Sequence, residues 1–286
     1  MDGFHSGWFF ENEDGMTVAI EVDEILCEEK TKYNDIKIFK STKFGNVLVL
    51  DGVIQCTDRD EFAYHEMMAH LPLFSHPNPK KVLIIGGGDG GVLKEVNKHS
   101  SIEEIHVCIN DERLIELAKQ YLPKLSVGYK SSKVAVNIED NVEQFLEKNT
   151  QSYDVVIVDS IGGHNNEILK KPFYEKLNKS LKNNNGIVCA FAGCVWTDAG
   201  HIKELKNTFH SIFPSVCYAF GLVVSCFVGG QVGFLLGSKE KETNFEEPPR
   251  VIKEEDVKEM NLKFYNKETH EACFVLPQFI KEELQN

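Results

Sequence analysis

The sequence predicts an α/β protein in which a Rossmann-like doubly wound sheet is preceded by a small antiparallel β domain. Short apolar or alternating runs, separated by turn residues, fill the first part of the chain. From Lys80 onward, runs with strand character alternate with segments of helical spacing. A glycine-rich loop, Gly86–Gly91, joins the first of these strands to the first helix, which is typical of a parallel sheet that binds a ligand at its strand ends.

The N-terminal β domain is assigned to residues 1–75. Its predicted strands are Met16–Glu21, Asp35–Lys40, Asn46–Leu50 and Val53–Thr57. The Asp51-Gly52 pair between the last two strands is a strong β-hairpin signal, because both residue types readily adopt positive φ. A helix is predicted over Asp60–His70 from its apolar spacing. The residues expected on one apolar side of this helix are Phe62, Met67 and Leu71.

The second domain is assigned to residues 76–286. Its predicted strands are Val82–Ile85, Ile105–Cys108, Val134–Ile138, Asp154–Val158, Gly186–Phe191, Val216–Ser225 and Gln231–Gly237. The predicted helices are Val92–Lys98, Asp111–Tyr121, Val142–Lys148, Pro172–Leu181 and His201–Phe213. Because strands and helices alternate, we expect a parallel sheet with helices on both faces. The charged stretch Lys239–Arg250 is predicted to be a loop.

The amino-acid composition of the chain limits the kinds of molecule that it is expected to bind. The 286 residues include 44 Asp and Glu against 31 Lys and Arg, and the formal net charge of −13 disfavours nucleic acids and anionic membranes. A small cationic or neutral substrate fits this charge better. We find no run of ~18 apolar residues and no secretory signal in residues 1–12, so no membrane association is expected. The eight cysteines form no Cys-x-x-Cys pair and are expected to be buried thiols of a cytoplasmic protein, without a metal site.

The glycine loop indicates a particular kind of ligand. Its glycines allow the backbone to approach a ligand closely, and the helix that follows offers free N–H groups. Asp89 within the loop is unusual, because its carboxylate would repel a phosphate but attract an ammonium or sulfonium group. The loop therefore favours an adenosine that carries a positive charge, of the S-adenosylmethionine type, over a dinucleotide. A tight strand–helix turn without a ligand is the simpler alternative.

Carboxylates recur where the predicted strands end. Asp89, Asp140 and Asp159 follow the first, third and fourth strands of the second domain, and Asp111 lies just past the second strand. Since the carboxyl ends of parallel strands meet at one edge of a sheet, these acids are expected on one rim. The alternative is that they are solvated helix caps.

Several motifs resemble the spermidine synthase family. They are Leu50–Thr57, Arg59–Phe62, Tyr64–Met67 and His76–Pro79, which runs into the glycine loop. The likeness extends from Gly7-Trp8-Phe9 to Phe274–Pro277 and so covers nearly the whole chain. It implies a homodimer that transfers an aminopropyl group from decarboxylated S-adenosylmethionine to putrescine. The donor would be a co-substrate, and no tightly bound cofactor is implied.

The resemblance also implies roles for individual residues. Tyr64 and Asp159 match the pair that assists deprotonation of the attacking amine, a step that is needed because an ammonium has no lone pair. Asp89 matches the aspartate that holds the aminopropyl amine of the donor, and Asp140 matches the one that contacts adenine. The other residues assigned to the donor side are Gln55, His65, Gly86 and Gly88.

One departure from the family pattern concerns the donor. Ile109 stands where the family has a glutamate that grips the ribose hydroxyls, in a run that reads Ile109-Asn110-Asp111 here. Isoleucine accepts no hydrogen bonds, so donor binding is expected to weaken by ~2–4 kcal/mol.

Further departures concern the acceptor. Gly162 replaces the aspartate that grips the diamine, Gly193 replaces a glutamate and Phe227 replaces a tyrosine. The altered pocket is completed by Ile161 and Trp8. Apolar surroundings would not offset the desolvation of putrescine's distal ammonium, so weak or absent putrescine activity is expected.

Three functions stay open at this point. The first is aminopropyl transfer with weakened putrescine recognition. The second is a repurposed enzyme for a less charged substrate, acting by methyl transfer or through a cationic intermediate. The aromatic faces available to such a cation are Phe191, Phe220, Phe227 and Trp196. The third is a non-catalytic paralogue that binds a partner, against which the retained Tyr64 and Asp159 argue.

Overall fold

The computed structural model describes residues 3–160 and 170–285 and contains two β-sheets. The smaller sheet has six antiparallel strands in chain order. They are β1 (Gly3–His5), β2 (Trp8–Glu13), β3 (Met16–Lys30), β4 (Asp35–Ser41), β5 (Gly45–Leu50) and β6 (Val53–Thr57). Asp51 and Gly52 have φ values of 52° and 88° between β5 and β6, which confirms the predicted hairpin.

The four predicted strands of this sheet are present, but the sequence analysis missed β1 and β2 and ended β3 at Glu21. The second half of β3 is rich in acidic residues and largely exposed, so the apolar alternation that marks a half-buried strand fades there.

Helix α1 (Glu61–Ser75) follows the small sheet and packs against the larger one. The prediction of a helix with one apolar side is wrong, because nearly every residue of α1 is buried and Phe62 is the exception. Polar residues of α1 can be buried because they have partners. Glu66, for example, accepts hydrogen bonds from the backbone N–H groups of Phe264 and Tyr265 at 2.8 and 2.9 Å.

The larger sheet has seven strands in the order β12-β13-β11-β10-β7-β8-β9. These strands are β7 (Lys81–Gly86), β8 (Glu104–Ile109), β9 (Val134–Ile138), β10 (Val155–Asp159), β11 (Ile187–Gly193), β12 (Ser215–Val223) and β13 (Gln231–Ser238). The helices that connect or follow them are α2 (Gly91–Val96), α3 (Glu112–Tyr121), α4 (Val142–Lys148), α5 (Lys171–Ser180), α6 (Ala199–His210), α7 (Glu254–Glu259), α8 (Lys267–Ala272) and α9 (Gln278–Gln285), together with a 3₁₀ helix at Ser126–Lys130.

Five adjacent strands of the seven are joined in parallel pairs, as predicted, but the sheet is mixed. Strand β13 lies between β11 and β12 and is antiparallel to both. The short connection from β12 to β13 explains this difference, since a parallel pair needs a crossover of a dozen or more residues.

Helices cover both faces of this sheet, as predicted. Val82 and Ile84 of β7 belong to one hydrophobic core, which also contains residues of α1, α2 and α3. Leu83 and Ile85, which point to the opposite face, belong to a second core with residues of α4, α5 and α6. No helix in the described ranges is long and apolar enough to cross a membrane.

The topology places a crevice at the centre of the sheet. From β7 the chain proceeds outward through β8 and β9, and later returns to the other side of β7 as β10. Asp159 at the end of β10 lies in register with Gly86 at the end of β7. Ligands of such sheets bind at this switch in strand order, so the fold itself positions a candidate site.

Candidate active site

The ends of β7 and β10 approach each other closely at Gly86. This glycine has a φ of +85°, and a Cβ atom added to it would overlap the carbonyl oxygen of Asp159. The next residue, Gly87, donates a backbone hydrogen bond of 3.2 Å to that oxygen. The glycine loop therefore has a steric function at its first position, because only glycine lets the two strand ends meet.

Two adjoining cavities open at these strand ends. The larger has a volume of about 280 Å³ and is lined by both carboxylates, Asp89 and Asp159. The residues assigned to the donor side that also line it are Gln55, Gly86 and Gly88. The smaller, of about 120 Å³, has apolar walls from residues such as Val142 and Phe173. Asp140 lines the smaller cavity, with its side chain 65% exposed. The arrangement suits a ligand with one flat apolar part and one cationic part.

Asp159, which lines the larger cavity, is hydrogen-bonded to the buried Tyr64. The Tyr64 hydroxyl donates a 2.8 Å hydrogen bond to Oδ1 of Asp159. The buried Oδ2 atom has no hydrogen-bond partner among the described residues. Burial and the nearby Asp89 charge raise the pKa of Asp159, against the opposing effects of His65 and of the Tyr64 hydrogen bond. A carboxyl group with a raised pKa is suited to accept a proton from an ammonium.

Asp89 is fixed by the start of α2. Its Oδ1 atom accepts a 2.6 Å hydrogen bond from the backbone N–H of Gly91, and only 9% of the residue is exposed. The carboxylate lies on the wall of the larger cavity, so it can form an ion pair with a cationic ligand.

His65 lies behind Asp89 rather than on the cavity wall. Its Nε2 atom is 3.5 Å from Oδ1 of Asp89, and its Nδ1 atom is 2.7 Å from Oε2 of Glu61. Lys94 contacts the other oxygen of Glu61 at 2.8 Å. Burial would lower the pKa of His65, but Asp89 and Glu61 outweigh it and raise that pKa to about 9. The residue therefore reaches a ligand only through Asp89.

The turn between β3 and β4 closes one side of the cleft, which the sequence analysis did not anticipate. Thr31 and Asn34 donate hydrogen bonds of 2.6 and 2.7 Å to Oδ2 of Asp111. Lys32 is 2.8 Å from Asp140, and the Tyr33 hydroxyl also donates to that carboxylate. These hydrogen bonds lower the pKa of Asp140. No local pattern marks such a turn, since its partners lie about 80 to 108 residues away along the chain.

Aromatic rings surround Tyr64 on its other side. Ring centroids of Phe191, Phe227 and Phe234 lie 6.3, 6.0 and 5.5 Å from that of Tyr64. Phe227, which the sequence analysis assigned to the altered pocket, is thus next to the reactive pair. The polarity of this side is low because the three rings contribute no hydrogen-bonding group.

Two of the four aromatic residues suggested for a cationic intermediate lie elsewhere. Trp196 is 61% exposed and stacks on Phe279 at 4.9 Å. Phe220 packs against the second hydrophobic core, which contains residues of α4, α5 and α6. The proposed aromatic enclosure of a cation is therefore wrong for these two positions, because the alternation along β12 and the loop after β11 turn them away from Tyr64.

The remaining altered positions have different surroundings. Ile109 is only 7% exposed and lines both cavities, so no acceptor for ribose hydroxyls stands there. Gly193 has a φ of +90°, and a Cβ atom there would lie 2.7 Å from the carboxylate of Asp198. A larger side chain does not fit at this position without rearrangement. Trp8 lies on β2 and is 41% exposed. Ile161 and Gly162 are outside the described residues.

The described residues contain free thiols and no cluster of metal ligands. Within residues 3–160 and 170–285, no group of three or more His, Cys, Asp or Glu side chains is placed to hold a metal ion. All eight cysteines lie in these ranges as free thiols, and six of them are buried.

The comparisons with known proteins agree with this geometry. Residues 61–247 match the profile of the spermine/spermidine synthase domain, and residues 7–58 match that of the spermidine synthase tetramerisation domain. The chain is similar to the spermidine synthase of Dictyostelium discoideum, with 43% identity over 289 residues that cover 99% of both chains. It is 41% identical to that of Schizosaccharomyces pombe over 96% of this chain and 93% of the relative.

Solved structures give the same result. The fold is similar to a spermidine synthase crystallised with the transition-state analogue AdoDATO, with a TM-score of 0.90, 33% identity, and coverage of 99% of this chain and 97% of that chain. A second similar structure is the spermidine synthase of Thermotoga maritima, with a TM-score of 0.88, 33% identity and coverage of 99% and 96%.

Proposed function

The chain belongs to the spermidine synthase family, and we propose from this membership and from the site that it transfers the aminopropyl group of decarboxylated S-adenosylmethionine to an amine. The observation that supports this best is that Asp89 and Asp159 line one cleft and that Tyr64 donates a hydrogen bond to Asp159. Asp89 is placed to bind the cationic donor, and Asp159 is placed to accept a proton.

The reaction requires one bond to form and one to break. The acceptor nitrogen attacks the aminopropyl carbon that is bonded to the sulfonium, the C–S bond breaks, and its electron pair stays on sulfur to give methylthioadenosine. The nitrogen gives up a proton, and Asp159 Oδ2 is the proposed acceptor of that proton because Oδ1 already accepts from Tyr64. Asp89 would hold the primary ammonium of the aminopropyl group.

For the nucleoside part of the donor, we assign the apolar cavity to adenine, with Asp140 at its exposed side. Gln55, Gly86 and Gly88 would contact the part of the donor between adenine and Asp89. The lack of an acceptor at Ile109 predicts that ribose adds less affinity than it would beside a carboxylate.

We propose that the acceptor is an amine and that this enzyme recognises putrescine weakly. The rings of Phe191 and Phe227 pack near Tyr64, and a distal ammonium placed beside them would lose hydration without gaining a partner. The comparisons favour aminopropyl transfer over both alternatives, methyl transfer or cation-type chemistry and a non-catalytic binding role.

Oligomerisation follows from the match of residues 7–58 to a tetramerisation domain. We propose a homodimer as the smallest assembly, and light scattering of the purified protein would measure it. We also propose a cytoplasmic location, supported by the free state of all eight cysteines, because disulfides are rare where glutathione keeps thiols reduced. The boundary between the two domains near residue 75 stays a prediction.

The decisive experiment is incubation with decarboxylated S-adenosylmethionine and a panel of amines, with methylthioadenosine and the aminopropylated product measured by mass spectrometry. We expect stoichiometric formation of both, with putrescine a poorer acceptor than a monoamine of similar length. Ordinary turnover with putrescine would contradict the proposed weak recognition of putrescine. Absence of methylthioadenosine with every amine, together with absence of donor binding at millimolar concentration, would overturn the function itself.

A further inference from the structure

A chain of buried charged groups leads from the cleft into the interior between α1 and α2. Asp89 lies on the cleft wall, His65 lies behind it, Glu61 contacts His65, and Lys94 contacts Glu61. His65 is 2% exposed and Glu61 is 8% exposed. Ionised side chains at such depth are nearly always paired with opposite charges. In this chain each carboxylate lies next to a group that can carry a positive charge.

The proton positions on His65 follow from its two neighbours. Each ring nitrogen faces a carboxylate oxygen, Nδ1 at 2.7 Å from Glu61 and Nε2 at 3.5 Å from Asp89. A neutral imidazole has one N–H group and would direct a lone pair at one of these oxygens, whereas an imidazolium donates toward both. Burial would raise the pKa of Glu61, but the hydrogen bond and charge of His65, and then Lys94 at 2.8 Å, lower that pKa to about 2, so Glu61 is an ionised partner for His65. The geometry therefore favours the imidazolium.

The two cleft carboxylates need such a positive charge. Asp89 and Asp159 line the same cavity, and the negative charge of Asp89 raises the pKa of the buried Asp159, in addition to the effect of burial. Asp159 must be ionised to accept a proton from an ammonium, so an uncompensated Asp89 would keep it protonated at neutral pH. The cation nearest to Asp89 among the described residues is His65.

We propose that His65 is a positioning residue for aminopropyl transfer, an imidazolium held by Glu61 and Lys94 that offsets the charge of Asp89 and so leaves Asp159 able to accept a proton at neutral pH. This inference rests on the proposed function. It assigns His65 an electrostatic role that acts through Asp89.

Other titratable groups around the site are accounted for. In the described ranges, Asp159 is faced by Tyr64 and His65 from α1 and by Asp89 from the glycine loop, and Tyr129 of the 3₁₀ helix is near both carboxylates. Cys189 of β11 is near Asp159 and Cys56 of β6 is near Asp89, and burial raises the pKa of both thiols, so neither carries charge near neutral pH. The Tyr129 hydroxyl donates to the carbonyl oxygen of Gly88 at 3.2 Å. Burial raises the pKa of both Tyr64 and Tyr129, so neither phenol carries charge near neutral pH.

The test compares three variants. His65→Gln removes the positive charge and keeps a side chain of similar reach, and Glu61→Gln removes the group that favours the imidazolium. His70→Gln is the matched control, because His70 is a buried histidine of the same helix, 3.2 Å from the buried Glu95, and does not contact the cleft acids. We expect the acidic limb of the kcat/KM profile to move to higher pH by about 0.5–1 unit in His65→Gln, with a similar plateau at high pH.

Glu61→Gln should also move the acidic limb of the kcat/KM profile to higher pH, because His65 then loses its proton more easily above neutral pH. At low pH the substitution should have little effect, because the imidazole is protonated there in both proteins. His70→Gln should leave the limb in place. A profile of His65→Gln that coincides with that of the wild type would overturn the inference.

A second readout does not depend on activity. The titration of the Asp159 carboxyl carbon can be followed by ¹³C NMR and assigned through its loss in Asp159→Asn. We expect it to move to higher pH by about 0.5–1 unit in His65→Gln, and an unmoved titration would overturn the inference even if aminopropyl transfer is detected. If the titration moves while no amine is aminopropylated, the proposed function fails and the electrostatic link between His65 and Asp159 stands.

Discussion

The Tyr64 hydroxyl and the Asp159 carboxylate are joined by a 2.8 Å hydrogen bond although they lie 95 residues apart in the chain. Both side chains are buried, and the bond occupies one oxygen of the carboxylate while the other has no partner among the described residues. The pair connects α1 to the end of β10, so the helix that follows the small sheet supplies the hydrogen-bond partner of the proposed proton acceptor.

Removal of the Asp159 carboxylate should abolish the proton transfer without preventing donor binding. We expect Asp159→Asn to lower kcat by at least ~100-fold, because general bases contribute on the order of 10²–10⁴ to rates. Tyr64→Phe should lower it less, by roughly tenfold, since the ring packing is kept. Steady-state kinetics check both values, with methylthioadenosine binding as evidence of an intact fold. An Asp159→Asn variant that keeps more than a tenth of the wild-type kcat would contradict the assignment.

The pH dependence of the wild-type rate should report the same group. Because the pKa of Asp159 is raised by burial and by Asp89, kcat/KM should increase with pH well above the range in which an ordinary carboxyl group titrates. The rate rises with pH because the carboxyl group must be ionised before it can accept a proton. Asp159→Asn should lack this limb, and a wild-type rate that is already maximal at pH 5 would exclude Asp159 as the base.

Asp89 should distinguish two nucleosides that share adenine and ribose. Decarboxylated S-adenosylmethionine carries an ammonium and a sulfonium, whereas methylthioadenosine carries neither. We expect Asp89→Asn to weaken binding of the former by about 10- to 100-fold and to leave the latter nearly unchanged, because only the cation pairs with the carboxylate. Titration calorimetry measures both affinities. Equal weakening of the two ligands would indicate a general disturbance of the glycine loop.

A substitution at Ile109 should affect both nucleosides equally, because both contain the ribose that is expected to lie beside this residue. Ile109→Glu is expected to tighten binding of both ligands by roughly 30- to 1000-fold, the equivalent of ~2–4 kcal/mol, since the carboxylate would accept hydrogen bonds from the ribose hydroxyls. Ile109→Gln, which is neutral, serves as the matched control and should gain less. Unchanged or weaker binding of both nucleosides in a folded Ile109→Glu variant would show that ribose lies elsewhere.

His76 should contribute to the pH dependence of stability. Burial lowers its pKa to about 4, against the opposing effect of Asp154, whereas the unfolded chain protonates this residue near its ordinary value of 6.5. Stability is therefore expected to fall as the pH decreases from 6.5 toward 4, by up to about 3 kcal/mol from this residue. Urea denaturation across this range should show a weaker dependence in His76→Gln, whereas His5→Gln, at an exposed position, should behave like the wild type.

Much of the fold could be predicted because it depends on local patterns. Val134–Ile138 and Val142–Lys148 were located to the residue, since apolar periodicity and length identify such elements directly. The mixed character of the larger sheet was not predicted, because strand direction depends on which strands pair and not on periodicity. The buried polar side of α1 was also missed, since its partners, such as the backbone of Phe264 and Tyr265, come from the far end of the chain.

The sequence by itself determined which chemical groups the cleft contains. A glycine loop with Asp89 was sufficient to indicate a cationic nucleoside, and the resemblance to the spermidine synthase family indicated Asp159 as the proton acceptor. Their relative placement was decided by the tertiary structure: the meeting of Tyr64 with Asp159, the turn of Thr31 and Lys32 over Asp111 and Asp140, and the position of His65 behind Asp89. The physical reason is that pKa values and ion pairs depend on distance and burial, which only the packing of distant segments creates.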